Sequence, residues 1–195
     1  MPQTVSEFVW QRLHEWGVRR VFGYPGDGIN GLVGALDKDK DRFDFVQARH
    51  EEMAAFMASA HAKFTGELGV CLATSGPGAS HLLTGLYDAR MDHMPVLAIV
   101  GQQARTAVGA HYQQELDLAS MFKDVAGAFT GYAMVPAQVR HLIDRAVRAR
   151  RSMPMASSET WAGGGTGGRT YLRARRSRRR PLSLASPLPA SERYV

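Results

Sequence analysis

The chain has 195 residues, is 45% hydrophobic and 22% charged, and carries seven histidines, one cysteine and a formal net charge of +6. That length suits one domain with a sizeable core, and the composition is that of an ordinary globular protein. It excludes a membrane span, because no apolar run approaches about 18 residues, and a lone cysteine excludes an internal disulfide.

The charge is unevenly placed. Residues 1–154 hold 16 basic against 16 acidic side chains, whereas residues 155–195 hold eight arginines against Glu159 and Glu192. The stretch Gly163–Gly168 has linker composition, and Arg173–Arg180 is nearly all arginine. Such a segment cannot bury enough apolar surface to offset chain entropy, so 155–195 is expected to be disordered. A nucleic-acid or membrane arm is the sharper reading; an arm without selected function is preferred, because lysine is absent and Arg, Gly, Pro, Ser and Ala dominate. A GC-rich gene read out of frame would leave that composition. No basic-apolar leader opens the chain, and a cytoplasmic setting is expected.

Within 1–154, helices and strands alternate. Thr4-Val5-Ser6-Glu7 is a capping box opening a helix with Val5, Phe8, Val9 and Leu13 on its apolar face, ended by Gly17. A strand over 18–24, a helix over 29–36, a strand over 43–48 and a helix over 51–64 follow, the last stopped by Gly66. Next come a strand over 69–74, a helix over 78–91 and a strand over 96–100. A polar loop over 101–116, a short helix near 118–123, a strand near 129–134 and a helix over 137–151 complete the pattern. Apolar strands without polar alternation, separated by helices, predict an α/β fold with a parallel sheet covered on both faces. Cys71 lies in such a strand and reads as a buried structural thiol.

Two strand-to-helix corners then carry chemistry. Arg49-His50-Glu51-Glu52 offers a carboxylate, and Thr74-Ser75-Gly76-Pro77-Gly78 offers a glycine-rich turn with exposed backbone. Both fall on the sheet edge where α/β folds place ligands. A third corner, Gly26-Asp27-Gly28-Ile29-Asn30-Gly31, satisfies the dinucleotide pattern, with Glu51 lying 20 residues beyond Gly31. Against a nicotinamide or flavin nucleotide stand Pro25 and Asp27, a rigid ring and a negative charge where a pyrophosphate would approach. A tight turn without ligand, and a non-catalytic interaction module using the Met-rich helix at 51–64, stay open. The histidines and Cys71 show no metal-ligand spacing.

Tyr24-Pro25-Gly26-Asp27-Gly28, Arg49-His50-Glu51-Glu52-Met53-Ala54-Ala55-Phe56, Thr74-Ser75-Gly76-Pro77-Gly78, Tyr112-Gln113-Gln114-Glu115 and Pro95-Val96-Leu97-Ala98-Ile99 all occur in this chain. Together they resemble the N-terminal pyrimidine-binding domain of thiamine diphosphate enzymes, nearest the pyruvate oxidase and acetolactate synthase group, over roughly 3–154. The resemblance implies that Glu51 bonds the aminopyrimidine N1′ and that Gln114 faces the reacting centre. It further implies that Gly26, the Thr74–Gly78 turn and His81 line the cofactor pocket. His50 is expected to be structural, and Met53, Phe56 and Met57 to pack the core or a partner subunit. Complete members add a last strand, a central domain and a diphosphate-binding domain that holds Mg²⁺, with FAD in some. The chain departs from that pattern at Pro154, so 1–154 is expected to be the pyrimidine domain, lacking its last strand. It is expected to supply half a site, to be inactive alone and to require a diphosphate-binding domain of another subunit in a homo-oligomer.

Overall fold

The computed structural model describes residues 3–149; the expected disorder of 155–195 and the end of the last helix at Arg151 lie outside them. Helix α1 (Val5–Glu15) is opened by Thr4, whose hydroxyl accepts from the Glu7 N–H while its own N–H donates to the Glu7 carboxylate. The capping box is therefore closed, and two otherwise unpaired amides are satisfied. After α1 come β1 (Arg20–Gly23), a 3₁₀ turn (Asp27–Ile29), α2 (Asn30–Lys38), β2 (Asp44–Gln47) and α3 (Glu51–Thr65). Then follow β3 (Gly69–Ala73), α4 (Pro77–His81), α5 (Leu83–Met91), β4 (Val96–Val100), α6 (Leu118–Phe122) and α7 (Val139–Ala149).

The strands form one parallel sheet in the order β2-β1-β3-β4. Alternation along each strand divides the core in two. Val21, Val70 and Leu72 face Val9, Trp10 and Leu13 of α1, Ala35 and Leu36 of α2, and Val139 and Val147 of α7. Phe22, Cys71 and Ala73 face Ala54, Ala55 and Ala58 of α3, together with Leu82, Leu86 and Phe122. Such two-sided covering is what unbroken apolar strands require. Complete burial pushes the Cys71 thiol up to about 12 and keeps it protonated.

Two details fix helix positions. On α3, Ala54, Ala55, Ala58 and Ala62 form a buried face of methyl groups. The helix sits so close to α5 that a Cβ at Gly85 would stand 2.6 Å from the Ala55 Cβ. Gly66 ends α3 in the left-handed conformation at φ 71°. On the opposite face, Asp144 of α7 accepts from Arg12 Nε (2.8 Å) and Nη2 (3.0 Å) and from Trp16 Nε1 (2.8 Å). Burial opposes ionisation of Asp144, but these donors together hold its carboxyl below the usual value.

The expected helix over 78–91 is broken at Leu82, whose N–H reaches back only three residues to Ala79 while its side chain is fully buried. The strand expected near 129–134 does not form. Phe129 N–H closes a turn on Ala126, the Phe129 ring lies 4.8 Å beneath the Arg145 guanidinium, and Met134 and Val135 N–H both donate to Gln138 Oε1. The amides at its two ends are engaged in a turn and in side-chain contacts rather than in a ladder. Met53 and Phe56 are exposed, and Met57 packs partly against the second core.

Candidate functional site

A parallel sheet delivers every strand's carboxyl end to one edge; β1 leads on to β2 on one side and β3 to β4 on the other, opening a crevice between β1 and β3. Three corners interlock there. Gly28 N–H, after β1, donates to Thr74 Oγ1, after β3, at 3.0 Å. A Cβ at Gly26 would stand 2.6 Å from the Thr74 Cβ, and one at Gly78 2.6 Å from its Cγ2. Gly101, after β4, donates to the Ala73 carbonyl at 3.0 Å and lies so close that a Cβ there would meet Gly28 O at 2.8 Å. Small residues at these positions let the three chains converge on Thr74.

Beside that convergence stands Glu51, the first residue of α3. It is one of only three buried polar or charged residues among the described residues, at 8% exposure. Its Oε2 lies 2.9 Å from His81 Nδ1, and its Oε1 would be 3.3 Å from a Cβ at Gly78. Oε1 has no hydrogen-bond partner among the described residues. The helix N-terminus favours this negative charge. His50, the N-cap of α3, accepts the Glu52 N–H on Nδ1 at 3.3 Å and stacks its ring on His81 with centroids 4.5 Å apart. The fold thus brings His50, Glu51 and His81 together, each with a ligating atom within 4.8 Å of the others. The linear spacing concealed this group, because His81 comes from a different helix, 30 residues beyond Glu51.

The second corner is open in a specific sense. Ser75 and Gly76 N–H donate to no protein acceptor among the described residues, although both residues are buried. Gly76 turns with φ 61°. A Cβ there would meet the Gln114 carbonyl oxygen at 2.5 Å, so the 101–116 loop folds back onto this corner. That loop is braced internally: Glu115 accepts the Gly109 and Tyr112 N–H groups, which lower its pKa, and Gln103 Nε2 donates to the Gln113 carbonyl at 2.9 Å. Gln114 itself is exposed, with backbone in the left-handed region at φ 62°. Gln103, which also reaches Ser75 Oγ at 3.4 Å, and Gly101 were not singled out by sequence; no local pattern marks either.

The first corner is differently engaged. Asp27 Oδ1 accepts the Gly28 N–H at 2.9 Å, which Thr74 Oγ1 shares. The amide that a dinucleotide pyrophosphate would need is therefore occupied.

Gly26, Glu51, Thr74–Gly78 and His81 are thus assembled at one sheet edge, and Gln114 reaches it through its backbone. No helix among the described residues is long and apolar enough to cross a membrane.

Comparison with known proteins agrees with this architecture. Residues 3–121 match the family described as thiamine pyrophosphate enzyme, N-terminal TPP binding domain. The chain is 45% identical to YdaP of Bacillus subtilis over 150 residues, covering 77% of this chain and 26% of that protein. It is 44% identical to a pyruvate oxidase of Lactiplantibacillus plantarum over 136 residues, 70% of this chain and 22% of that enzyme. To an acetolactate synthase of Mycobacterium avium it is 42% identical over 118 residues, 60% and 19% of the two chains. It spans about a fifth to a quarter of the length of these relatives. With more than half of its residues matching the family's pattern, this chain belongs to the thiamine pyrophosphate enzymes and carries their N-terminal TPP-binding domain.

Proposed function

We propose that the chain supplies the aminopyrimidine half of a thiamine diphosphate site in an enzyme acting on pyruvate or a similar 2-keto acid. The single observation behind this reading is the buried Glu51 carboxylate, whose Oε1 has no partner among the described residues, next to a corner whose Ser75 and Gly76 N–H groups have no acceptor among them either. A flat heterocycle carrying ring nitrogens and an amino group matches that set of donors and acceptors. When bound, the cofactor supplies the electron sink for cleaving the bond beside the keto group.

The chain's own part is orientation and proton control. With the cofactor bound, Glu51 would hold a proton at the ring nitrogen N1′ and so control the tautomer of the aminopyrimidine. The Glu51 carboxylate is mostly buried, with 10% of its side chain exposed, which limits competition from water for that proton. His81 holds Oε2 and leaves Oε1 for the ring. Gln114, whose backbone packs on Gly76, would face the reacting centre.

The diphosphate and its Mg²⁺ require oxygen ligands on a diphosphate-binding domain, supplied by another subunit of a homo-oligomer, with FAD in some complete members. Without that half the chain binds thiamine diphosphate weakly and turns nothing over, since most affinity for the cofactor resides in its charged end. A cytoplasmic location accompanies this reading.

Calorimetry of the chain with thiamine diphosphate and Mg²⁺ tests the half-site directly. Weak or absent heat is expected; a submicromolar constant would overturn the proposal. A complementing diphosphate domain then restores activity, and the Glu51→Gln change removes it. Undiminished activity in that variant would dismiss Glu51 from the chemistry.

A further inference from the structure

We infer that His50, Glu51 and His81 form a binding site for a borderline divalent cation of the Zn²⁺ class, seated where the aminopyrimidine would lie. The last clause rests on the thiamine diphosphate reading; the metal site itself does not.

Zinc favours imidazole nitrogen and carboxylate oxygen in a tetrahedral set, with bonds of about 2.0 Å, so neighbouring donors stand about 3.3 Å apart. Glu51 Oε2 and His81 Nδ1 are 2.9 Å apart, close to that edge length before any metal enters. The third donor comes from His50. Its Nδ1 accepts the Glu52 N–H at 3.3 Å, which leaves Nε2 as the nitrogen available to a metal. One ligating atom from each of the three residues already lies within 4.8 Å of the other two. Rotation of the exposed His50 ring closes the remaining distance, and the adjacent His81 ring is also exposed.

The chemistry of the group favours a cation over the bare cluster. Glu51 is a buried carboxylate whose only described partner is one imidazole. Two imidazoles and one carboxylate make a three-ligand set with a fourth position open to water, the arrangement of zinc sites that exchange ligands. Oxygen-preferring Mg²⁺ is a poor match for two nitrogens, so this site is separate in kind from one holding a diphosphate-bound metal. Occupancy engages the Glu51 carboxylate, so metal and aminopyrimidine exclude each other. In an oligomer this makes zinc an inhibitor competitive with the cofactor.

The test uses the full chain. Titration with Zn²⁺ by calorimetry is expected to give one site of low-micromolar affinity, and Co²⁺ in its place is expected to show the intense visible bands of a four-coordinate ion. The His50→Gln and His81→Gln variants weaken binding roughly tenfold or more each, with helical circular dichroism retained. His61→Gln, altering a histidine paired with Glu67 near the far end of α3, leaves binding unchanged. On the unaltered chain, zinc shifts the ring resonances of His50 and His81 and not those of the other five histidines. Equal affinity in the parent and the double variant, absent cobalt bands, or shifts confined to other histidines would overturn the metal site and leave the cofactor reading standing. Competition between zinc and millimolar thiamine, which carries the aminopyrimidine but no metal-chelating diphosphate, supports both. Zinc binding with the expected variant losses but no such competition supports the metal site and counts against the shared seat.

Discussion

The corner after β1 and the corner after β3 have similar glycine-rich composition and opposite availability. Gly26–Gly31 fulfils a dinucleotide pattern, yet its Gly28 amide is held by Asp27 and Thr74. Thr74–Gly78 fulfils no such pattern, yet among the described residues its Ser75 and Gly76 amides have no protein acceptor, beside a buried carboxylate. A motif records which backbone shapes are allowed; the neighbours decide which donors are left for a ligand. Here the first corner serves as a buttress for the second, joined to it through the Thr74 hydroxyl.

The largest effect expected from this contrast is catalytic. In the complemented enzyme, Glu51→Gln lowers activity by about a hundredfold or more, the usual range for losing a positioned acid–base group, while the melting temperature of the chain stays nearly unchanged. Next is Gly76→Ala. Its positive φ and the Gln114 carbonyl in the Cβ position together cost about 1–3 kcal/mol, read from a urea midpoint, and the variant also loses cofactor-dependent activity. The change that uncouples the buttress from the second corner, Thr74→Val, leaves the Gly28 amide with Asp27 as its one acceptor among the described residues. It costs about 1 kcal/mol without creating affinity for a nicotinamide dinucleotide; acquisition of such affinity would break the contrast.

The smallest effect lies away from both corners and serves as a control. The folded-state pKa of Asp144 is lowered from its ordinary 3.8, with the donors Arg12 and Trp16 prevailing over burial. A depressed carboxyl contributes stability above its unfolded value and loses it as pH falls through the folded value. The stability difference between the parent and Asp144→Asn is therefore full above about pH 4 and shrinks in more acidic solution. Activity per folded molecule of the complemented enzyme stays the same, as acid titrations monitored by circular dichroism and assay would show.

Much of this architecture is legible along the chain because it depends on local terms. The Thr4–Glu7 box, the glycine at 66 and the apolar run at 96–100 are each decided by neighbours a few residues away, and each appears where expected. Leu82 breaks its helix because a fully buried side chain and a tightened turn prevail over helical propensity. The 129–134 segment has a strand's composition but ends in a turn and in bonds to Gln138, while its Phe129 ring packs beneath Arg145 of α7, a contact the local sequence does not announce. Glu51 and the Thr74–Gly78 turn were visible as chemistry at two corners. The stacking of His50 on His81 was hidden, because their approach depends on how α3 and α4 pack.

The methyl-lined face of α3 has a consequence for how this domain tolerates change. Ala55 meets the backbone of Gly85 with no slack, and the same rigid helix begins with Glu51. A leucine at position 55, one turn from the carboxylate, must push α3 off α5 and swing the carboxylate with it. Such a mutant would present as a cofactor defect with every pocket residue intact. The alignment of the acid is thus set by the smallest side chains in the domain, and a screen confined to the pocket would overlook them.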